Sequence, residues 1–266
     1  MSKKIAFCGG GNMAEGIITR FVSEQIAAPN DITVCELRPE RCDYLHNTYG
    51  VNAKTKVEAE YAEADLVVIA LLPQLIPVVA PSIGKLLRED SLVLSIAAGV
   101  SLEVLETALG EKTRIARTIP NTLGATGTGY SCLCFNANCD EADQELVRTA
   151  LLSLGQVMDL QEHLFDAFSV FATAGPMWMY KLIEFMTDAG VHSGFNRQDA
   201  KDIVIKNMIG AGRILEMTGE HPAQRVDMMT SPGGVTIEGL KVLQDEGFAS
   251  AIMKSVAAGV DKVKSF

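Results

Sequence analysis

A glycine-rich turn near the amino terminus has the spacing of a dinucleotide-binding loop. Gly9, Gly11 and Ala14 form the pattern G-x-G-x-x-A directly after the apolar run Ile5–Cys8. The first glycine of this pattern permits a tight turn, the second lacks the Cβ that would block a diphosphate, and the alanine lets helix and strand pack closely. The free N–H groups and the dipole of the following helix then stabilise the phosphates. The alternative interpretation is a tight strand-to-helix turn without a ligand.

An acidic residue follows the second apolar run at the distance expected for ribose recognition. Glu36 lies close to the offset of about 20 residues beyond the glycine pattern at which a carboxylate accepts hydrogen bonds from the adenosine ribose. This position favours NAD(H) as the cofactor. Arg38 leaves NADP(H) open, because its guanidinium would pair with a 2′-phosphate if Glu36 turned outward.

A second segment, in the carboxyl-terminal half, also begins a helix with small residues. Ser231 is followed by a proline, Gly233 and Gly234, and Thr236 lies in the first turn of the predicted helix, which Ser231 is predicted to cap. A helix start without bulky side chains exposes N–H groups that can hold a carboxylate, and the Thr236 hydroxyl can face the same ligand. The simpler interpretation is a capped helix that binds nothing.

The runs around these turns predict an α/β fold. Short Val/Ile/Leu runs alternate with amphipathic stretches in the first part of the chain, as in parallel strands covered by crossover helices. We therefore predict residues 1–160 as a Rossmann-like, mostly parallel NAD(P)-binding domain and residues 161–266 as an all-helical dimerisation and substrate domain. The clearest predicted strands are 5–8, 32–35, 66–71, 92–96 and 114–118. The predicted helices of the second domain are 165–174, 177–193, 197–218, 223–229, 234–246 and 248–263.

Charge and composition exclude several classes of protein. The net charge of −10 repels nucleic acid and anionic membrane surfaces, so neither is expected as a partner. No apolar run approaches the roughly 20 residues of a membrane span, and the amino terminus lacks the apolar region of a signal peptide, so we expect a cytoplasmic protein. The six cysteines and four histidines lack metal-ligand spacing, so no metal is expected.

The helices of the second half predict a subunit interface. The predicted helix at 177–193 is apolar around most of its circumference, and Gly210 and Gly212 lie in the middle of another helix. A small helical cluster cannot bury such a surface alone, and glycines in mid-helix are typical of a close approach by a second helix. We therefore expect a homo-oligomer, at least a dimer, formed through these helices.

The side chains available for acid and base chemistry favour imine reduction over carbonyl reduction. None of the four histidines belongs to a triad or metal-ligand pattern. Reduction of a carbonyl needs an acid to protonate the developing alkoxide, whereas a protonated cyclic imine is already an electrophile. A small cyclic imine is therefore the better substrate class.

Six short runs together resemble one enzyme family. They are FCGGGNMAE at 7–15, SIAAG at 95–99, RTIPNT at 117–122, DAGV at 188–191, EHP at 220–222 and TSPGGVTI at 230–237. These runs are similar to those of the pyrroline-5-carboxylate reductases, and the resemblance extends nearly from end to end. It implies NAD(P)H-dependent reduction of 1-pyrroline-5-carboxylate to L-proline, the final step of proline synthesis. It also implies a helical domain that interlocks with a second subunit, in dimers that often form larger rings.

The resemblance also implies roles for individual residues. Thr236 would be the catalytic residue, with its hydroxyl near the ring nitrogen of the substrate. The substrate carboxylate would be held by Ser231, Gly233, Gly234 and Thr236. In addition to Gly9, Gly11, Ala14, Glu36 and Arg38, the implied cofactor-binding residues are Asn12, Met13, Pro73, Ala97, Ala98, Asn121 and Thr122.

Departures from the family pattern leave the substrate and the rate open. Leu72 stands where the family usually has Lys, Trp178 where it has Tyr, and Lys206 where it has Gln. Three alternatives therefore accompany the prediction. They are a reductase of another cyclic imine, a β-hydroxyacid dehydrogenase with Lys181 as its catalytic acid, and a non-catalytic NAD(H)-binding sensor.

Overall fold

The computed structural model describes residues 3–121, 123–124 and 127–263, and the chain forms two compact units. Unit 1 comprises the chain up to Ala174 together with Val263, and unit 2 comprises Gly175–Lys262. Unit 1 thus continues beyond residue 160, where the sequence predicted the end of the first domain. The extra residues include helix α7 (Phe165–Phe168) and a π-helix (Ser169–Thr173), and Phe165 packs beneath the sheet residues Ile119 and Cys132.

Unit 1 contains an eight-stranded sheet in the part of the chain that the structure describes. Neighbouring strands are parallel except for β6 (Arg114–Pro120) and β7 (Gly129–Phe135), which pair antiparallel, so the predicted mostly parallel sheet is confirmed. The five predicted strands are present, and three further strands, β3, β7 and β8, extend the sheet at its two edges. In chain order the strands are β1 (Ile5–Cys8), β2 (Ile32–Cys35), β3 (Asn52–Lys54), β4 (Leu66–Ile69), β5 (Leu92–Ser95), β6 (Arg114–Pro120), β7 (Gly129–Phe135) and β8 (Gly155–Asp159). Across the sheet they lie in the order β3-β2-β1-β4-β5-β6-β7-β8.

Helices cover both faces of this sheet. Successive residues of a strand point to opposite faces, so in β1 Ile5 and Phe7 join one buried cluster while Ala6 and Cys8 join the other. Three helices, α1 (Asn12–Ser23), α2 (Pro39–Tyr49) and α6 (Glu141–Leu152), supply the first cluster. Three others, α3 (Ala59–Glu63), α4 (Ile76–Gly84) and α5 (Leu102–Leu109), supply the second. Burial on both faces explains why the central strands are continuous apolar runs. The helices are α1 (Asn12–Ser23), α2 (Pro39–Tyr49), α3 (Ala59–Glu63), α4 (Ile76–Gly84), α5 (Leu102–Leu109) and α6 (Glu141–Leu152).

Unit 2 is helical, as predicted. Two of its helices, α9 (Arg197–Thr218) and α12 (Phe248–Val263), have the predicted bounds, and the others differ from prediction by one or two residues at their ends. Trp178 Nε1 donates a hydrogen bond to Ser255 Oγ at 2.9 Å, which joins α8 to α12. No helix in the described part of the chain combines the length and apolarity that crossing a bilayer requires. The helices are α8 (Gly175–His192), α9 (Arg197–Thr218), α10 (Pro222–Met229), α11 (Val235–Asp245) and α12 (Phe248–Val263).

Large apolar side chains remain exposed on unit 2. No residue of α10, α11 or α12 is buried in the described part of these helices. At Gly210 and Gly212 no atom of another described segment lies within 4 Å of the position that a Cβ would take, so no described part of this chain makes the close approach predicted there. The exposed side chains include Met179, Tyr180, Phe185, Ile209, Met217, Met228, Val242 and Met253.

Candidate functional site

The turn between β1 and α1 requires glycine at its first position and leaves space at its third. Gly9 has φ +104°, and a Cβ there would lie 2.4 Å from the carbonyl oxygen of Ala70. Gly11 is the N-cap of α1, and apart from the adjoining backbone no atom of the described residues lies within 4 Å of its Cβ position. Since no side chain caps α1, its first N–H groups are available to an anion such as a diphosphate. Ala14 is buried where α1 packs on the sheet.

The middle residue of the turn, Gly10, is a constrained position that the sequence analysis did not single out. Its Cβ would lie 2.9 Å from Leu45 Cδ1 and 3.1 Å from Glu36 Cβ, so a side chain would push the turn away from β2 and α2. The N–H of Gly10 donates to Glu36 Oε2 at 3.2 Å. The run of three consecutive glycines is the signal that could have indicated this position.

Glu36 lies directly after β2, beside the glycine turn, where a ribose-binding carboxylate was predicted. It accepts hydrogen bonds from Gly10 N–H and from Arg38, whose Nε lies 3.0 Å from Oε1 and whose backbone N–H lies 3.1 Å from the same atom. Burial acts to raise the pKa of Glu36, but these donors outweigh it, and the net pKa is below the ordinary value. The carboxylate therefore faces the turn, and the outward rotation that would free Arg38 for a phosphate is not present.

Three loops follow parallel strands at the same edge of the sheet. β4, β5 and β6 run parallel to β1, so their carboxyl ends lie at the edge that carries the glycine turn. Pro73 begins a short 3₁₀ helix (Pro73–Leu75) after β4 and is exposed. After β5, Ala97 is buried and Ala98 is exposed. Asn121 follows β6, and Thr122 lies outside the described residues.

A cavity brings three of the predicted cofactor residues together. It has a volume of about 370 Å³ and is lined by Asn12 and Met13 at the start of α1 and by Asn121 after β6. The amide of Asn121 is engaged by backbone groups, since its Oδ1 accepts from Leu123 N–H at 3.2 Å and from Tyr130 N–H at 3.3 Å. Asn121 therefore shapes this cavity by holding the chain around it.

A cluster of polar side chains behind the glycine turn was not predicted from the sequence. Arg41, on α2, donates from Nε to the carbonyl oxygen of Gly10 at 2.7 Å and from Nη2 to Glu15 at 2.6 Å. Glu15 also accepts from the hydroxyls of Tyr49 at 2.7 Å and Tyr44 at 2.9 Å. These residues are more than 25 positions from the turn or from Glu15, so local sequence patterns gave no signal for the cluster.

The second predicted anion site begins helix α11 of unit 2. Gly234 is the N-cap, without a side-chain cap, and Gly233 has φ +66°, the left-handed conformation that favours glycine. The prediction that Ser231 caps this helix is wrong. Ser231 lies farther out, where its carbonyl accepts from Gly234 N–H at 3.0 Å in a tight turn. Thr236 lies in the first turn of α11. The sequence further predicts that this turn and the glycine turn face each other, so that the cofactor lies against the substrate; the two turns belong to separate units, and this stays a prediction.

Other residues singled out in unit 2 make local contacts. Lys181, the catalytic acid of the dehydrogenase alternative, is half exposed and forms an ion pair with Glu184 at 2.5 Å. Its ammonium lies 5.0 Å from the centre of the Phe185 ring. Lys206 is exposed on α9. These contacts are those of a surface lysine, and they give no support to a catalytic role for Lys181.

The six cysteines are free thiols. Burial raises the pKa of Cys8 and Cys139 to about 11 and that of Cys132 and Cys134 to about 12. Among the described residues, no group of three or more potential ligands is placed to hold a metal ion. The thiols near the sheet therefore act as packing groups.

Two family profiles match this chain. Residues 162–266 match the profile described as "Pyrroline-5-carboxylate reductase dimerisation". Residues 4–99, which include the glycine turn and Glu36, match the profile described as "NADP oxidoreductase coenzyme F420-dependent".

Similar proteins and structures cover nearly the whole chain. The pyrroline-5-carboxylate reductase of Synechocystis sp. is 33% identical over 258 residues, which is 97% of this chain and 96% of the relative. That of Escherichia coli is 32% identical over 262 residues, covering 98% and 97%. The solved reductase of Coxiella burnetii has a TM-score of 0.89 and 27% identity over 100% of this chain and 98% of that one. The Plasmodium falciparum pyrroline carboxylate reductase with NADP bound has a TM-score of 0.90 and 25% identity, covering 99% and 97%.

Proposed function

The chain belongs to the pyrroline-5-carboxylate reductase family, and from this we infer that it is an oxidoreductase that reduces 1-pyrroline-5-carboxylate to L-proline with NAD(P)H. This reaction is the last step of proline biosynthesis. The observation that carries the inference is the continuity of the similarity across both units, because the reaction needs the cofactor loop of unit 1 and the helical unit together. No second activity is favoured by a specific contact.

The residues present fit a nicotinamide dinucleotide. The space beside Gly11 is open, and the first N–H groups of α1 have no side-chain cap, which suits a diphosphate. When bound, the reduced nicotinamide supplies a hydride to the imine carbon. We propose that Glu36 holds the adenosine ribose. Around the rest of the cofactor we place Gly9, Gly11, Asn12, Met13, Ala14, Arg38, Pro73, Ala97, Ala98, Asn121 and Thr122.

We propose that the start of α11 binds the substrate. The backbone N–H groups at Gly233 and Gly234 and the Ser231 side chain would hold its carboxylate, as expected for a helix end without bulky groups. The Thr236 hydroxyl would accept a hydrogen bond from the protonated ring nitrogen. Because the iminium nitrogen already carries its proton, no side chain has to act as an acid during hydride addition. Thr236 therefore orients the ring and is the catalytic residue of the proposal.

We propose NAD(H) as the preferred cofactor, because Glu36 would lie against a 2′-phosphate and would repel it. The carboxylate is held toward the turn by Gly10 and Arg38, so reorienting it to admit the phosphate would break those contacts. Glu36→Ala is expected to raise the KM for NADH and to lower the ratio of the KM for NADPH to the KM for NADH. Asp90→Ala is the matched control, because that carboxylate also binds an arginine two residues away, Arg88 Nε at 2.8 Å, and precedes β5, at the edge of the sheet opposite to the glycine turn. A wild-type enzyme with higher kcat/KM for NADPH would overturn this preference.

We propose a cytoplasmic homo-oligomer, at least a dimer, assembled through the helices of unit 2. The match to a dimerisation profile and the exposed apolar side chains of α8 to α12 support the assembly. The free thiols suit a reducing compartment. Sedimentation velocity at micromolar concentration should give at least the mass of two chains. A stable monomer of 28.6 kDa would contradict the proposal.

The activity is tested by following NADH and NADPH consumption with 1-pyrroline-5-carboxylate. Fast turnover supports the reductase, and turnover with a six-membered cyclic imine alone supports the paralogue. Turnover with a hydroxyacid alone supports the dehydrogenase, and tight NADH binding without turnover supports the sensor.

Thr236→Ala should lower kcat with little change in the Kd for NADH. Thr218→Ala is its control, because that hydroxyl makes two contacts local to the end of α9: it donates to the Ile214 carbonyl at 2.8 Å and accepts from the Glu220 N–H at 3.3 Å.

A further inference from the structure

We propose that Arg41, held by Glu15, is a positioning residue that orients the Gly10–Gly11 peptide for the cofactor diphosphate. The inference takes from the proposed function only that a nicotinamide dinucleotide occupies the glycine turn. It does not depend on which imine is reduced.

Both polar groups of Gly10 are held by side chains that follow β2. Its carbonyl oxygen accepts from Arg41 Nε at 2.7 Å, and its N–H donates to Glu36 at 3.2 Å. A trans peptide is planar, so its C=O and the next N–H point in opposite directions. With the Gly10 carbonyl fixed toward Arg41, the N–H of Gly11 is directed away from Arg41. Among the described residues no acceptor engages that N–H, so it remains available to a ligand.

The guanidinium of Arg41 is itself immobilised. Its Nη2 donates to Glu15 at 2.6 Å, and it lies 5.0 Å from the centre of the Tyr44 ring. Glu15 is fixed in turn by the hydroxyls of Tyr44 and Tyr49. Burial acts to raise the pKa of Glu15, but Arg41 and the two tyrosines outweigh it and hold the pKa below the ordinary value, so the carboxylate is charged at neutral pH.

This arrangement indicates orientation of the turn and argues against direct phosphate binding by Arg41. The charges of Arg41 and Glu15 offset each other. Arg41 Nε is already bound to the Gly10 carbonyl and Arg41 Nη2 to Glu15. The hydrogen bond from Arg41 Nε satisfies the Gly10 carbonyl oxygen and holds it turned toward α2. A turn that is held in its binding conformation before the ligand arrives loses less freedom on binding.

Arg114 provides a matched control for a purely structural ion pair. The side chain of Arg114 is 20% exposed against 15% for Arg41, and Arg114 Nη1 lies 3.0 Å from Asp143 Oδ1. Arg114 is the first residue of β6, so it lies at the edge of the sheet opposite to the glycine turn. Loss of either arginine should lower stability, but only loss of Arg41 should change cofactor affinity.

The test measures the Kd of NADH and of NADPH by fluorescence titration, without any imine present. Arg41→Met is expected to raise both Kd values by about tenfold and by the same factor, because the two cofactors share the diphosphate. Arg41→Lys should restore part of the affinity, since an ammonium can reach one of the two partners. At saturating NADH the kcat of Arg41→Met should stay within about twofold of wild type, whereas the KM for NADH rises. Arg114→Met should leave both Kd values unchanged.

Three results would overturn the inference. They are unchanged Kd values in Arg41→Met, an equal loss of affinity in Arg114→Met, and wild-type protein that binds neither cofactor. Binding that depends on Arg41 in a protein that does not reduce 1-pyrroline-5-carboxylate would uphold the inference and defeat the proposed reaction. Turnover of 1-pyrroline-5-carboxylate together with Kd values that are unchanged in Arg41→Met would support the proposed reaction and overturn the inference about Arg41.

Discussion

Two substitutions two positions apart should separate the steric role of the glycine turn from its ligand-binding role. Gly9→Ala places a methyl group 2.4 Å from the carbonyl oxygen of Ala70 and 3.0 Å from its carbonyl carbon, at φ +104°. Gly11→Ala places a methyl group where, among the described residues, only the adjoining backbone lies within 4 Å, on a backbone of φ −70° and ψ −178° that any residue adopts. The first change strains the folded chain, and the second obstructs only a ligand.

The expected magnitudes follow from these contacts. An L-residue in the left-handed region costs about 1–2 kcal/mol, and overpacking against backbone adds about 1–3 kcal/mol. Gly9→Ala should therefore lower the free energy of unfolding by about 2–5 kcal/mol. Gly11→Ala should lower it by about 1 kcal/mol at most, the cost of replacing glycine by alanine, a poorer N-cap. Its methyl should instead raise the Kd for NADH at least about tenfold, which corresponds to about 1.4 kcal/mol.

Urea unfolding and NADH titration measure the two effects separately. With a slope of about 2 kcal/mol per molar urea, Gly9→Ala should lower the midpoint by about 1–2.5 M. Gly11→Ala should leave the midpoint nearly unchanged and weaken binding. Wild-type affinity in Gly11→Ala would refute the approach of the diphosphate at this residue. A wild-type midpoint in Gly9→Ala would refute the tight contact with Ala70.

Three further outcomes follow from contacts within unit 1. Burial acts to raise the pKa of Glu15, but its hydrogen-bond donors hold that pKa below the ordinary value. The stability advantage of wild type over Glu15→Gln should therefore be complete above about pH 4.3, the pKa of an unfolded Glu, and should shrink as the pH falls through the lower folded pKa. An advantage in urea midpoint that is constant from pH 7 to pH 3 would contradict this account. Burial raises the pKa of Cys8 to about 11 and of Cys132 to about 12. At pH 8 an aromatic disulfide reagent should therefore label both thiols at least about a hundredfold more slowly in native than in urea-unfolded protein. Rapid labelling of the native protein would argue against their burial. Asn136→Ala should lower the free energy of unfolding by about 1–3 kcal/mol, because the buried N–H of Ile115 loses its acceptor at 3.0 Å, and an unchanged urea midpoint would count against that contact.

Local patterns were sufficient wherever one element carries its own signal. The helices Arg197–Thr218 and Phe248–Val263 have the predicted bounds, since periodicity and end signals are contained within each segment. The strand Ile5–Cys8 was equally well defined, because a strand buried on both faces is a continuous apolar run. The strands at the edges of the sheet were harder to identify. Asn52–Lys54 is short and polar, and Gly155–Asp159 is partly exposed, so neither has the apolar pattern of a central strand.

The amino-acid sequence by itself determined the glycine turn, the acidic residue after β2, the α/β order of the first unit and the helical character of the second. These properties depend on residues that are near each other in the chain. Only the tertiary structure decided that Glu36 faces Gly10 and that Arg41 reaches both Gly10 and Glu15. These side chains meet because the parallel pairing of β1 with β2 brings the ends of two separated segments to one edge of the sheet, and no local pattern encodes which atoms then come within hydrogen-bonding distance.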